Sequence, residues 1–200
     1  MKRRDQTAAA PPDRRAAVLS AALACFNEKG VEATNIGDIC ARAGASVGSV
    51  YHHFGNKEGI AVALLAGGLS DHVDHLERNL GKARTARQAV HVLVGTLVTW
   101  VAANPEWARY IYNVRHGSLG QAADEQLREV NARYGALLDR CFGPHFADGA
   151  FRKLPRETLP SLVIGPVHDY ARRWLNGQVS GKLTEHVDVF AETAWNAVRR

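Results

Sequence analysis

Three groups of residues in this chain have the types and spacing that chemistry asks for. Gly44-Ala45-Ser46-Val47-Gly48 spells the Gly-x-Ser-x-Gly of a nucleophile elbow, His72 and His75 are spaced as two metal-binding imidazoles on one helix would be, and Cys25, Cys40 and Cys141 offer thiols. None is completed by its surroundings. An elbow serine follows a buried strand, whereas eight residues of helical apolar spacing precede Ser46, which suits a helix N-cap instead. No further ligands stand out to finish a site around His72 and His75, so surface imidazoles are the alternative to a metal. The three cysteines form neither a CxxC pair nor an even disulfide framework, and each falls on an apolar stripe where a buried thiol is expected. We therefore expect no catalytic residue, no bound metal and no cofactor.

A fourth group is more informative. Ile36, Ile39, Cys40 and Ala43 form a short helical set after Asn35, an N-cap candidate, and Val47, Val50 and Phe54 form another after Ser46, with Gly44-Ala45-Ser46 as the turn between them. This is the size and punctuation of a helix-turn-helix, with Gly44 free to take positive φ. If Val47, Val50 and Phe54 turn inward, the other face of the second helix presents Gly48, Ser49 and His52, with Tyr51 and His53 at its edges. That face carries hydrogen-bonding groups and no carboxylate, as a helix entering a phosphate-lined groove requires. Lys57 follows at the start of the next helix, within reach of backbone phosphate.

Helical spacing recurs through the rest of the chain and no sustained period-two alternation occurs, so the fold is expected to be all-α. Val18, Ala21, Ala22, Cys25 and Phe26 predict a first helix closing at Gly30. After Lys57, helices are expected over 57–80, 85–104, from Pro105 to near Gly117, and along a stripe from Leu127 to Cys141. The Gly- and Pro-containing stretch 142–155 reads as the strongest break, followed by helices over 157–176, kinked by Pro166, and 183–199.

The run from Arg14 to Ile60 resembles the DNA-binding domain of TetR-family transcriptional regulators. The resemblance rests on Arg14-Arg15, Ala21-Ala22, Phe26-Asn27-Glu28-Lys29-Gly30, Ile39, Ala43-Gly44, Ser46-Val47-Gly48-Ser49-Val50-Tyr51-His52-His53-Phe54 and Lys57-Glu58. It covers the first third of the chain closely, and Tyr-x-His-Phe followed by Lys is its most specific part. It implies an N-terminal three-helix DNA-binding domain, a C-terminal helical domain for a small-molecule effector, and a homodimer joined through the last two long helices. Carried over by position, Val47, Gly48 and Ser49 would face bases, Tyr51 and His52 bases or backbone, and His53 and Lys57 phosphates. The cap residues Asn35 and Ser46 complete the candidate DNA-binding set. Gly37 departs from relatives that carry a polar or basic side chain there.

Composition agrees with such a protein and excludes others. The 200 residues are 46% hydrophobic and 22% charged, which rules out disordered and collagen-like chains, and a net charge of +5 suits a polyanionic partner. Lys2, Arg3, Arg4, Arg14 and Arg15 outnumber Asp5 and Asp13 near the start, so residues 1–13 are expected to be a flexible basic arm, either solvated or tracking phosphate. Residues 14–56 would form the reading head and 57–200 the effector-binding and dimerisation domain. The uncharged stretch from Gln88 to Asn104 falls short of the about 20 apolar residues a bilayer needs, and no secretion signal is evident, so a cytoplasmic protein without a membrane partner is expected.

In the larger part, Trp100, Trp107, Tyr110, Tyr112, Tyr134, Tyr170 and Trp174 fall on helices where they would pack a core or line a ligand cavity, with His91 and His168 among the polar anchors. Candidate effector contacts are thus His91, Trp100, Trp107, Tyr110, Tyr134, His168 and Tyr170, for a moderately sized apolar or aromatic ligand. Alanines 191, 194 and 197 beside Phe190 and Trp195 suit close helix packing, in a dimer bundle or within one chain. The expected function is a ligand-responsive, sequence-specific regulator, a repressor on a pseudo-palindromic double-stranded operator. The alternatives are a DNA-binding regulator with no effector and a helical small-molecule-binding protein or enzyme.

Overall fold

The computed structural model describes residues 13–114 and 119–200. The expected basic arm, apart from Asp13, and the expected helix end near Gly117 lie outside the described residues. The chain forms α1 (Arg14–Ala33), α2 (Ile36–Ala43), α3 (Val47–Phe54), α4 (Lys57–Leu80), α5 (Ala86–Ala103), α6 (Pro105–Asn113), α7 (Gly120–Ala147), α8 (Leu159–Val163), α9 (Gly165–Leu175) and α10 (Val187–Val198). Among the described residues there is no strand, only an isolated antiparallel bridge between Phe151 and Arg199. The fold is all-α, and it divides into two compact units, one ending at Ile60 and one beginning at Ala61.

The first unit has a small core of Val18, Ala21, Ala22, Cys25 and Phe26 from α1, Ile39 and Cys40 from α2, Val50 from α3 and Ile60. Gly30 leaves helical geometry near the end of α1, with φ 81°. Buried Thr34 then closes the end, its hydroxyl donating toward the carbonyls of Gly30 at 2.7 Å and Cys25 at 3.3 Å, groups that a helix terminus leaves unpaired. Asn35 and Asp38 form a reciprocal capping box at the start of α2. Gly44, at φ 61°, ends that helix in left-handed geometry, its N–H donating to the Cys40 carbonyl. Ser46 Oγ then accepts from the Ser49 N–H and starts α3. Two ion pairs hold α1 to α2: Glu28 with Arg42 at 2.7 Å and Lys29 with Asp38 at 3.2 Å.

The second unit is built around α5, ten of whose residues are buried, including Val90, Val94, Val98 and Trp100. By length and composition α5 is also apolar enough to cross a bilayer, but here α6, α7, α9 and α10 pack against it and its apolar surface forms the core. Tyr110 is buried and donates its hydroxyl to the Ala61 carbonyl at 2.7 Å, fastening α6 to α4.

Three expected boundaries differ. The predicted break at Phe142 is instead the last turn of α7, which runs through Pro144 to Ala147. Burial of Phe142 and the packing of Phe142 and Phe146 on Phe151, at 6.1 and 4.6 Å between ring centroids, outweigh the cost of the missing proline N–H. The predicted kinked helix over 157–176 is two helices, α8 and α9, after a 3-10 turn at Arg156–Thr158. Pro166 lies in the first turn of α9, where no intrahelical N–H is needed. The last predicted helix begins as a 3-10 turn, Leu183–His186, before α10.

Gly44 supplies the first prediction. A side chain in left-handed geometry costs about 1 kcal/mol or more, so Gly44→Ala should lower stability by about that amount, read as a lower urea midpoint at unchanged m. An unchanged midpoint would show that the turn relaxes to another geometry.

Candidate nucleic-acid interface and effector cavity

Capping and the Gly44 turn set which side of α3 faces outward. Val50 is buried and Phe54 half-buried, with the Arg15 guanidinium over the Phe54 ring at 5.5 Å. Val47 does not turn inward as its spacing suggested. It is 51% exposed and is the first residue of α3. Tyr51 is also 51% exposed, Gly48, His52 and His53 are exposed, and Ser49 is half-buried at the edge. A Cβ built on Gly48 would meet no atom within 4 Å, so the face is open to close approach. Asn35 and Ser46 flank it, each using its side-chain oxygen as a cap.

Lys57 has a structural task as well. Its ammonium donates to the carbonyls of Glu32 and Thr34, both at 2.9 Å, which ties the start of α4 to the end of α1 and leaves one N–H over. Two acids of this unit are engaged in ion pairs. The Arg42 hydrogen bond holds the Glu28 carboxyl below its ordinary range, and the Asn35 backbone N–H, then Lys29, do the same for Asp38.

In the second unit, a cavity of about 210 Å³ is bounded by α4, α5, α6, α7, Ile164 and α9. Its lining is mostly apolar, with Leu69, Val73, Leu97, Val101, Ile111 and Val130, and its polar groups are His72, Tyr112, Asn131 and His168. An adjoining chamber of about 140 Å³ shares Leu93, Tyr134 and Ile164 with it and continues between α5, α7 and α8. The Tyr112 hydroxyl lies 2.8 Å from His168 Nδ1, and His72 packs edge-on to Trp100 at 5.3 Å. The Trp100 indole donates to Asp71 at 2.7 Å. Burial raises the Tyr112 and Tyr134 phenols and lowers both imidazoles, with Arg172 adding to the effect at His168.

Of the predicted effector contacts, Trp100, Tyr134 and His168 line this cavity. Trp107, Tyr110, His91 and Tyr170 do not. Trp107 lies over Gly67 and Gly68, and Tyr110 is committed to Ala61. His91 faces Glu192, its Nε2 3.2 Å from the carboxylate, and Tyr170 packs on His186 and Phe190. In each case a nearer partner on a neighbouring helix takes the side chain. Tyr112, expected among the aromatics of a core or cavity but not among the effector contacts, lines the cavity, as does His72, whose spacing had suggested a metal ligand. His72 shares the stripe of Leu69, Val73 and Leu76, a signal available in the spacing. His75 instead turns back to Asp71, its Nδ1 2.9 Å from that carbonyl, and no metal-binding cluster occurs among the described residues. Cys25 and Cys40 are buried thiols, whereas Cys141 is only half-buried.

Residues 18–64 match the family model described as bacterial regulatory proteins, tetR family. The chain is 31% identical over 143 residues to the HTH-type transcriptional repressor KstR2 of Rhodococcus jostii (strain RHA1), covering 70% of this chain and 68% of that protein. Among solved structures it is similar to a bacterial regulatory protein of the tetR family from Rhodococcus RHA1, at a TM-score of 0.81 and 21% identity over 94% of this chain and 98% of that one. It is also similar to FadR from Bacillus subtilis, solved with stearoyl-CoA, at a TM-score of 0.78 and 16% identity over 92% and 99% of the two chains. The chain belongs to the TetR family of bacterial regulatory proteins. It is therefore a DNA-binding transcriptional regulator and not an enzyme. Regulators of this family bind DNA and small-molecule effectors and are dimers.

The cavity makes a pH prediction. Burial first, then the charges of His168 and His75, push His72 from 6.5 down to about 4, with Asp71 opposing. The unfolded chain takes up a proton there below about 6.5 that the folded chain refuses until about 4, so stability is complete above the unfolded value and is lost as pH falls. Between pH 7 and 4.5 this one group should cost about 2–3 kcal/mol. Urea midpoints of His72→Leu should fall less over that range than those of the unaltered protein; parallel curves would contradict the burial of this imidazole.

Proposed function

We propose that the chain is a ligand-released repressor that binds a pseudo-palindromic operator as a homodimer in the cytoplasm. The observation that carries this reading is the outer face of α3, where Val47 and Tyr51 stay half exposed beside His52 and Gly48 with no carboxylate among them. A solvated helix gains nothing from exposing a valine and a tyrosine together. In a major groove, Val47 meets a thymine methyl, Tyr51 and His52 hydrogen-bond base edges or backbone, and Ser49 reaches from the side. His53 and the remaining N–H of Lys57 take phosphates, while Asn35 and Ser46 hold the helices that present them. Residues 14–56 act as the reading head, residues 57–200 bind effector and partner, and the basic arm adds non-specific attraction.

One reading head gives few base contacts, so two on a dimer read half-sites about 34–36 Å apart or a multiple of that. The last long helices, α9 and α10, suit the dimer contact. Val189 on α10 is 64% exposed, and Tyr170, Trp174 and Phe190 are only half-buried. The apolar cavity is the effector site, with Trp100, Tyr134 and His168 as contacts and His91, Trp107, Tyr110 and Tyr170 supporting its walls. Effector acts to the extent that it binds the DNA-incompetent conformer more tightly. Repression is the sense named for the Rhodococcus jostii relative.

Selection from random duplex DNA, followed by anisotropy titrations across a salt series, tests the reading. A palindromic winner should bind at least about a thousandfold more tightly than a scrambled control. Equal, steeply salt-dependent binding to both would reduce the interaction to electrostatics. His52→Ala should relax preference at one base pair by about 1–3 kcal/mol, whereas Lys57→Ala should weaken binding to all sequences alike and lower the salt slope by about one. Because Lys57 also closes α1, its variant should melt earlier as well. Loss of stability without a change in salt slope would leave it a structural residue only.

A further inference from the structure

The polar groups of the cavity lined by Trp100 are few and specific. His72 Nδ1 is buried without a hydrogen-bond partner among the described residues, in a mostly apolar cavity whose other polar side chains include Tyr112, Asn131, Tyr134 and His168. The Tyr112 hydroxyl lies 2.8 Å from His168 Nδ1, and in the tautomer in which that nitrogen accepts the phenol O–H the ring carries its proton on Nε2. The same cavity thus holds an N–H donor on one imidazole and an unpaired nitrogen on the other. Leaving such groups unmatched in an apolar space is costly, and an oxygen on a bound molecule is the group that pairs with either. A hydroxyl accepts from His168 or donates to His72; a carbonyl accepts from whichever N–H is presented.

The charge state of the wall narrows the choice further. Burial keeps both imidazoles neutral at pH 7, and no lysine or arginine lines the cavity. Arg172 is not part of the lining; it is exposed, 5.7 Å from the centroid of the Tyr112 ring and 3.9 Å from Asp169. A carboxylate would give up its hydration and find no cation inside. The space itself, about 210 Å³, exceeds an apolar cavity of about 150 Å³ that accommodates benzene, and the neighbouring chamber beyond Tyr134 extends it. We infer that the effector is an apolar molecule of more than one ring's bulk carrying one neutral oxygen, a carbonyl or hydroxyl, paired with His72 or His168. This inference rests on the cavity being the effector site.

Matched bicyclic probes test it. The full-length protein is loaded with N-phenyl-1-naphthylamine, a neutral dye that fluoresces in apolar sites. Tetralin, 2-tetralone, 2-tetralol and tetralin-2-carboxylate then compete for it at pH 7.5. The ketone and alcohol should displace the dye at concentrations at least about tenfold lower than the carboxylate. In the double variant His72→Leu/His168→Leu, the affinity ratio of ketone to bare tetralin should fall by about tenfold while dye and tetralin still bind, which shows that the cavity is intact. His168→Gln, which keeps an N–H donor, should restore most of the ratio in the presence of His72. A carboxylate bound as tightly as the ketone, or a ratio unchanged in the double variant, would overturn the inference while leaving an effector cavity in place. Failure of the dye and all four probes to bind the unaltered protein would instead remove the cavity as an effector site, and the inference with it.

Discussion

The burial of α5 is the constraint from which the second unit follows. With Val90, Val94, Val98 and Val101 shielded from water and Trp100 and Leu97 nearly so, this helix has little surface to offer solvent. Its neighbours must supply the cover, each with one apolar face turned inward and charge turned out, as on α4, α7 and α10. Arg133 bridges Asp74 and Glu77 between α4 and α7, and Arg87 pairs with Glu192 between α5 and α10. Exposed pairs of this kind select among packings more than they stabilise them. Helices wrapped around a central rod cannot fill all the space between them, and the cavity is the volume left over where α4, α6, α7 and α9 diverge around Trp100.

The first unit solves a different problem with fewer residues. Its core is too small to hold three helices by burial alone, so local hydrogen bonds place them: Thr34 at the end of α1, the Asn35–Asp38 box, Gly44 in left-handed geometry, and Ser46 over the first turn of α3. Lys57 adds the longest-range of these bonds, from the start of α4 back to Glu32 and Thr34. The outward aim of Val47 and Tyr51 follows from these caps. Removing a cap therefore changes where the reading face points as well as how stable it is.

These differences explain what could be read in the chain beforehand. Asn35, Gly44 and Ser46 were legible because cap and turn chemistry depends on a few adjacent residues. The apolar stripes of α1 and α5 were legible for the same local reason. Val47 was misplaced because helical spacing gives an angle around the axis but not whether the first residue of a helix has a neighbour to pack on. Pro144 was read as a break because the three phenylalanines that hold its turn include Phe151, which meets them only after the chain has turned back. The cavity lining was the least legible. Tyr110 and Tyr112 are two residues apart on one helix, and which of them faces a cavity depends on where Ala61 and His168 arrive from α4 and α9.

The same geometry bears on how a ligand in the cavity would alter its surroundings. At the seam between α4 and α6 there is no slack: a Cβ on Gly68 would lie 2.9 Å from Ile111 and 3.2 Å from Trp107. Such a contact is kept or broken, because a packed seam does not slide by small amounts. Ile111 also lines the cavity, one side of the side chain against Gly68 and the other toward the ligand space. The buried nitrogen of His72 has no hydrogen-bond partner among the described residues, so an occupant that supplied one would be favoured there. A molecule that satisfies His72 yet crowds Ile111 gains from one contact while opposing another. Under the proposed function, that opposition is what would give the two packings different affinities for a ligand.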